Sequence, residues 1–408
     1  MRVGVFHPGA QQSWQRAVAF QDTGQLAWFA TSAYFHPESA PVRAAGHLPS
    51  GLREPAQRRL LRRHFPLLDP AHVRRMGVAE LAELGLRRLG ADALAHPVNT
   101  WGNRRFGRQV IALMQREPVD VVWGFDTSAL EVFRWAKPRG ITCVLDQTIG
   151  HPAVMNGVMA AERTRHPEFF RGHDRPFSAA WIGRQNEEIA LADLVLCGSD
   201  FCAETLRAQG CDPAKLRVVP YGHDETRWPD TPPERLPLDG RPLELLFAGT
   251  IGPRKGAAHL LQAIERLSPD TARLTLVGHR NVPKATLERY RARVRHVPQL
   301  APGELPALFR SADLLVLPSL FEGSALVLNE ALAAGLGIVQ SHAAGDGARE
   351  GHTGTILPEV SPEALAATIT ALARDPETVA AWQANAWAER HTRTWARYRA
   401  RLPAVLAA

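Results

Sequence analysis

Cysteine is scarce and unpatterned in this chain. Its 408 residues hold four, Cys143, Cys197, Cys202 and Cys211, with no CxxC pair and no metal-ligand spacing to histidine. That excludes a disulfide scaffold or a zinc ribbon and reads as buried, reduced thiols of a cytosolic protein. Long apolar runs are also missing, since no stretch approaches the roughly 18–20 residues of a spanning helix. The opening MRVGVFHPGAQQ lacks the apolar core of a signal peptide and is expected to form a first strand. Lysine is almost absent, 4 residues against 44 Arg. No repeat of solenoid period occurs.

What is present describes a globular protein. An apolar content of 45% with 22% charged residues, over a length too great for one core, suits two domains of ordinary size. Charge is uneven. Residues 1–110 hold 15 Arg against 7 Asp or Glu, a net of +8, so the remaining residues sum to −1 of the total +7. Much of the excess sits in LREPAQRRLLRRHFPLL, Leu52 to Leu68, where Leu60, Leu61 and Phe65 share a helical face among Arg58, Arg59, Arg62 and Arg63. Two readings stand: a basic amphipathic helix resting on an anionic membrane surface, or a solvated face over the core. Nucleic acid is excluded as a partner, because no recognition motif accompanies the patch.

Short Val/Leu-rich runs bounded by Gly, Pro, Asp or Ser predict parallel strands buried on both faces. They are RVGVF, LAWFATS, DVVWGF, TCVLDQT, DLVLCGS and LRVVPYG, and then LELLFAGT, RLTLVGH, VRHVPQL, DLLVLPS, GIVQS and GTILPEV. Between the two series lies WPDTPPERLPLDGRP, with the composition of a linker. Two series of alternating strands and helices imply two doubly wound α/β domains whose strand ends face a shared cleft. The boundaries are set at 1–225, 226–242 as linker, 243–385, and 386–408. The last piece, continuing WQANAWAERHTRTWARYRARL as one long helix, is expected to cross back to the first domain.

Two motifs carry chemistry. FEGSALVLNEALAAGLGIVQS, Phe321 to Ser341, sets Glu322 and Glu330 into an otherwise apolar run. A helix that is hydrophobic all round is normally buried, and an unpartnered buried charge is costly. Both carboxylates are therefore expected to meet a ligand. Gly323 or Ser324 is the expected N-cap, with the first helical N–H groups directed at an anion. A ribose diol suits Glu330, at about 1.5–3 kcal/mol for each charge-assisted bond. FAGTIGPRKGAAHLLQAI, Phe247 to Ile264, places Arg254 and Lys255 between a strand end and a helix start. A lysine there, in a chain that otherwise uses arginine, suggests a point charge for phosphate, the bland alternative being a surface turn.

FAGTIGPRKG followed some 70 residues later by FEGSALVLNEALAAG resembles the donor half of the glycosyltransferase group 1 family, retaining enzymes of GT-B fold. The E-x7-E spacing of Glu322 and Glu330 is similar to its signature. ADLVLCGSDFCAETLRAQGCDPAKLRVVPYGHD resembles its last first-domain strands and hinge, and TWARYRARL its closing helix. The resemblance spans most of 120–400 and fades over the first 110 residues, where acceptor recognition would lie. It implies two Rossmann-like domains facing a cleft, Lys255 on the donor diphosphate with Arg254 assisting, and Glu330 on the ribose. Glu322, with the backbone of Gly323, Ser324, Ala325 and Leu326, would face the transferred sugar and β-phosphate. Many members carry Arg where this chain has Thr250, a departure that Arg254 is expected to make good.

The family's first loop is Gly-rich; here FHPGAQQSW offers Gly9, Gln11 and Gln12. The histidine that the family places near the sugar corresponds to His151 in VLDQTIGHP, with Asp146 nearby and His7 as competitor. The resemblance further implies a UDP- or GDP-sugar donor and a glycan or lipid-linked acceptor, in surface polysaccharide or glycolipid synthesis, without cofactor. It implies no metal at the donor site, in keeping with the lack of an Asp-x-Asp pair. Location follows as cytoplasmic, either free or peripheral on the inner membrane face through residues 52–68. A nucleotide-sugar epimerase, a sugar phosphorylase and a catalytically silent nucleotide- or glycan-binding paralogue share this scaffold and stay open.

Overall fold

A computed structural model describes residues 1–9, 12–61, 63–77, 92–172, 174–238, 240–298, 300 and 303–406. The first sheet comprises β1 (Val3–Phe6), β2 (Leu26–Thr31), β3 (Val73–Arg75), β4 (Val121–Phe125), β5 (Thr142–Gln147), β6 (Leu194–Cys197) and β7 (Leu216–Val218). They lie in the order β3-β2-β1-β4-β5-β6-β7. The second sheet comprises β8 (Leu243–Ala248), β9 (Ala272–Val277), β10 (Val294–Val297), β11 (Leu314–Leu317), β12 (Gly337–Ser341) and β13 (Gly354–Leu357), in the order β10-β9-β8-β11-β12-β13. Every strand pair is parallel. Helices cover both faces, so central strands such as VVWGF and LLVL are buried along their whole length.

Each of the twelve runs read from the sequence forms a strand. β3, only three residues long and partly exposed, carries too little apolar pattern to be read. In both sheets the strand order reverses beside the first strand, between β1 and β4 and between β8 and β11. At such a switch point the loops leave in opposite directions and open a crevice beyond the strand ends. No helix among the described residues is long and apolar enough to cross a membrane.

The Leu52–Leu68 segment departs from expectation. Its helix, Ser50–Leu61, buries no residue and contains Pro55. Phe65 lies past the helix end and is buried in the first domain, stacked on Trp14 at 5.5 Å between ring centroids. No helical face is therefore shared by Leu60, Leu61 and Phe65. The C-terminal segment is also two helices, Pro376–Glu389 and Trp395–Val405, parted by a 3-10 turn at Arg390–Arg393 and restarted by Thr394, whose side chain caps Arg397. Ala386 still packs in the second core, whereas Trp395, Tyr398, Leu402 and Val405 pack in the first.

The chain passes between domains twice, and the two crossings are bonded together: His223 N–H donates to Arg393 O at 2.9 Å, and Trp395 N–H to His223 O at 3.0 Å. The Pro-rich stretch is strapped to the second domain. Arg310 donates to the carbonyls of Thr231 and Pro232, Arg235 donates to those of Ala334 and Gly335, and Trp228 meets Phe309 edge-on.

Asp146, expected on the acceptor side, is engaged by protein donors. Its buried carboxylate receives both Nε and Nη2 of Arg16, at 2.6 and 2.9 Å, and Trp123 Nε1 at 3.2 Å. The Arg16 guanidinium lies over the rings of Tyr398, Tyr221 and Phe125 at 4.9, 5.0 and 5.4 Å. One buried pair thus joins the first helix, β5, the crossing segment and the closing helix. Removing one partner of such a pair leaves an uncompensated buried charge. Arg16→Met should lower unfolding free energy by about 3–5 kcal/mol, and the Arg16→Met/Asp146→Leu double variant should lose less than the single one. Urea titrations read both, and equal losses would contradict the charge argument.

Candidate functional site

The two loops at the second switch point carry the motif residues. After β8 the chain makes a 3-10 turn, Pro253–Lys255, which closes on Gly256 at φ +69. A Cβ at Gly256 would stand 2.0 Å from Pro318 O, so the turn lies directly on the loop that follows β11. Leu320 N–H donates to Arg254 O at 2.8 Å, and Arg254 Nη1 to Phe321 O at 2.8 Å. With the loops fixed in this way, Glu322 Oε1 takes ion pairs from Lys255 Nζ at 2.6 Å and Arg254 Nη1 at 2.7 Å. Burial lowers the Lys255 pKa, and the Glu322 carboxylate opposes that shift. Two cations against one carboxylate leave this corner at about +1, a suitable seat for an anion.

The helix after Glu322 runs Leu326–Ala333 and starts two residues later than the sequence suggested. Its N-cap is Ala325, which offers no capping oxygen, and the Ala325 N–H is itself bonded to Ala344 O at 3.1 Å. Ala325 therefore leaves the set of free donors, and Ser324 does not act as the cap. The amides beyond it lack a side-chain cap, which leaves the positive end of the helix open to a ligand. Glu330 lies one turn further on. It is partly buried, meets no hydrogen-bond donor among the described residues, and has its pKa raised by burial, with distant Arg227 opposing.

The first domain reaches this loop directly. A Cβ at Gly323 would lie 1.9 Å from Thr148 O, the Ser199 hydroxyl donates to Gly323 O, and Gly150 N–H donates to Glu322 O at 3.3 Å. The loop from Thr148 to His151 is thus a template for the FEG turn. His151 does not present an open ring. It is 1% exposed, its Nδ1 accepts from Ala153 N–H as a helix N-cap, and its Nε2 is bonded to Asn186 Oδ1 at 2.7 Å. Both nitrogens are thus engaged by protein partners.

At the first switch point Gly9 N–H donates to His7 Nδ1 at 2.9 Å, closing the loop after β1. Gln12 accepts from Arg16 through its carbonyl, while its buried Oε1 has no donor. Gln11 falls outside the described residues. After β4, Thr127 adopts φ +71, unusual for a β-branched residue, held by its N–H bond to Glu188 at 2.8 Å.

One feature escaped the sequence pattern altogether. Between β5 and the helix Ala179–Leu191 the chain leaves the first domain, runs along the helix Pro152–Arg165, and seats Phe169 in the core of the second. This excursion forms one wall of a cleft of about 630 Å³, with Met155, Met159, Arg163 and Phe177 facing Thr250, Arg254, Lys255 and Asn281. Helical periodicity gave no hint of it, because only Pro152 and Glu162 of that helix are buried.

Burial holds His7 neutral down to about 4, against an ordinary 6.5. Between those values the unfolded chain binds a proton that the folded chain refuses. Stability therefore falls as pH drops from 6.5 towards 4, by up to about 1.4 kcal/mol per pH unit. His7→Gln should lose less stability than the parent between pH 7 and 5, read from urea midpoints. Equal losses would remove His7 as the source.

Residues 242–375 match the family model described as "Glycosyl transferases group 1". The glycogen synthase of Mycobacterium tuberculosis is 31% identical over 254 residues, 57% of this chain and 59% of that protein. The D-inositol 3-phosphate glycosyltransferase of Rhodococcus opacus is 31% identical over 234 residues, 52% of each. The chain thus spans little more than half the length of these relatives. The sucrose-phosphate synthase structure of Thermosynechococcus elongatus aligns at TM-score 0.65 and 18% identity, covering 100% of this chain and 98% of that one. Anabaena Alr3699/HepE in complex with UDP aligns at 0.62 and 14%, covering 100% of both. The fold is GT-B.

Proposed function

We propose, from a second domain whose residues 242–375 match the model described as "Glycosyl transferases group 1", that this protein is a retaining glycosyltransferase. It moves a sugar from a UDP- or GDP-linked donor to a hydroxyl of a glycan or lipid-linked acceptor, in surface polysaccharide or glycolipid synthesis. One observation carries the reading. Glu330, a partly buried carboxylate with no donor among the described residues, follows by one helical turn the loop on which Glu322 gathers Lys255 and Arg254. A nucleotide diphosphate has complementary parts in that order: a ribose diol that donates and phosphates that need cations. UDP in the Anabaena Alr3699/HepE structure supports a nucleotide ligand for this scaffold.

In the reaction the glycosidic C–O bond breaks and the nucleotide diphosphate leaves. Lys255 and Arg254 meet the charge that develops on it, aided by the open start of the Leu326 helix. These interactions strengthen as the bond breaks, so they lower the barrier more than they tighten ground-state binding. Glu322 holds both cations in place before the donor arrives, which avoids reorganising them in the transition state. The acceptor hydroxyl attacks from the leaving-group face and passes its proton to a phosphate oxygen, so the sugar keeps its anomeric configuration without an enzyme nucleophile. The two cations do the work that a divalent ion would do at the diphosphate, and transfer is read as metal-independent.

Kinetics separate these roles. Glu330→Ala should raise the donor KM about tenfold or more with a smaller change in kcat, reflecting lost ribose bonds. Lys255→Ala should lower kcat by about 100-fold or more with less effect on KM. A panel of UDP-, GDP-, ADP- and dTDP-sugars, assayed for nucleotide release with and without EDTA, identifies the donor. An unchanged KM in the Glu330 variant would sink the ribose assignment. Absence of both release and ligand-induced thermal stabilisation across the panel would sink the function.

A further inference from the structure

The cleft-lining helix Pro152–Arg165 carries a second group of polar side chains, and they meet the other domain. Glu162 is 2% exposed and His166 follows it by four residues, so the two are neighbours on one side of the helix end. Opposite them stands His259, 3% exposed, on the helix Ala257–Arg266 that follows the Lys255 turn. His259 Nε2 lies 3.1 Å from Glu162 Oε2, and the His166 and His259 rings are 5.0 Å apart, edge to face. One ligand atom from each of the three residues lies within 4.8 Å of the others.

The polar accounting of this cluster does not close. Glu162 Oε1 and His259 Nδ1 are buried and have no hydrogen-bond partner. An unsatisfied buried group of this kind costs about 1–3 kcal/mol. Gln262 Nε2 approaches His166 Nδ1 at 3.3 Å, which fixes that ring from outside the cluster. Two imidazoles and a carboxylate are the donor set that zinc takes with water in its fourth position. Bonds of about 2.0–2.1 Å in tetrahedral geometry need donor atoms roughly 3.4 Å apart, within the span of these three groups once their side chains rotate.

We propose that Glu162, His166 and His259 form a binding site for a borderline divalent cation, of which Zn²⁺ is the type, that fastens the excursion of the first domain to the second. The site lies apart from the Glu322 corner, and its role is to position the cleft wall. It depends on neither the donor chemistry nor the identity of the acceptor. Neither residue pattern is a recognisable metal motif in sequence, because His259 lies nearly a hundred positions from its partners.

The test uses full-length protein stripped with EDTA and titrated with Co²⁺, which reports four- or five-coordinate binding by visible d–d absorption. The expected result is one equivalent bound, displaced by Zn²⁺, together with a rise in melting temperature on adding Zn²⁺. Glu162→Gln keeps the shape and a hydrogen-bond acceptor for His259 but removes the charge, and His166→Asn removes a partly exposed ligand with little effect on packing. Each should weaken Co²⁺ binding by about 100-fold or more and abolish the Zn²⁺-dependent rise in melting temperature. No absorption in the parent protein, or equal binding in both variants, would overturn the proposal.

Discussion

Oε1 of Glu322 takes ion pairs from Arg254 and Lys255 at once, and the surrounding loops are arranged so that it can. The Lys255 turn must lie flat on the loop that follows β11, which Gly256 permits. The FEG turn must press against the first domain, which Gly323 permits. Like charges as near as these two cations repel, and burial adds desolvation to the cost. The shared carboxylate offsets both and sets where the positive charge lies. An anion that reaches this corner meets cations already oriented. The energy of assembling them has been spent in folding, not in binding.

The first domain contributes more than a facing surface. Its excursion from Pro152 to Phe177 delivers the cleft wall and anchors it by Phe169, so the two domains are interlocked in place of being merely apposed. Arg171 donating to Arg280 O and Thr286 donating to Glu168 O reinforce that seam. Rearrangement about the paired crossings at His223 and Thr394 must therefore carry the excursion with it or draw Phe169 out of an apolar core. The second course would expose a large aromatic surface at a cost of about 2–3 kcal/mol.

The strands were legible because parallel strands covered on both faces must be apolar throughout, and short β3 at the edge was not. Lys255, Glu322 and Glu330 were legible because each breaks its local composition: the rare lysine in an arginine-rich chain, and carboxylates in an apolar run. His151 and Asp146 show where such signals stop. A polar residue at the end of a buried strand looks the same in sequence whether it meets a ligand or a buried partner, and here the partners are Asn186 and Arg16. Arg16 itself gave no warning. Its neighbours in the sequence are helical, and the three rings above it come from residues 109 to 382 positions away. The closing helix read as continuous because the 3-10 turn at Arg390–Arg393 is made of residues that a helix also accepts.

The position of Tyr398 over Arg16 gives the fold a direction in time. A ribosome makes the first domain's seven strands before the second domain, and the helix that completes their core after it. At about 5–20 residues per second, Arg16 waits on the order of ten to forty seconds after β7 has emerged for Tyr398, the last of its three rings. During that interval the ion pair is open on the side where Tyr398 and Trp395 will lie, and the nascent first domain shows an apolar face to its surroundings. The core of the first domain is thus closed by a segment made after the second domain.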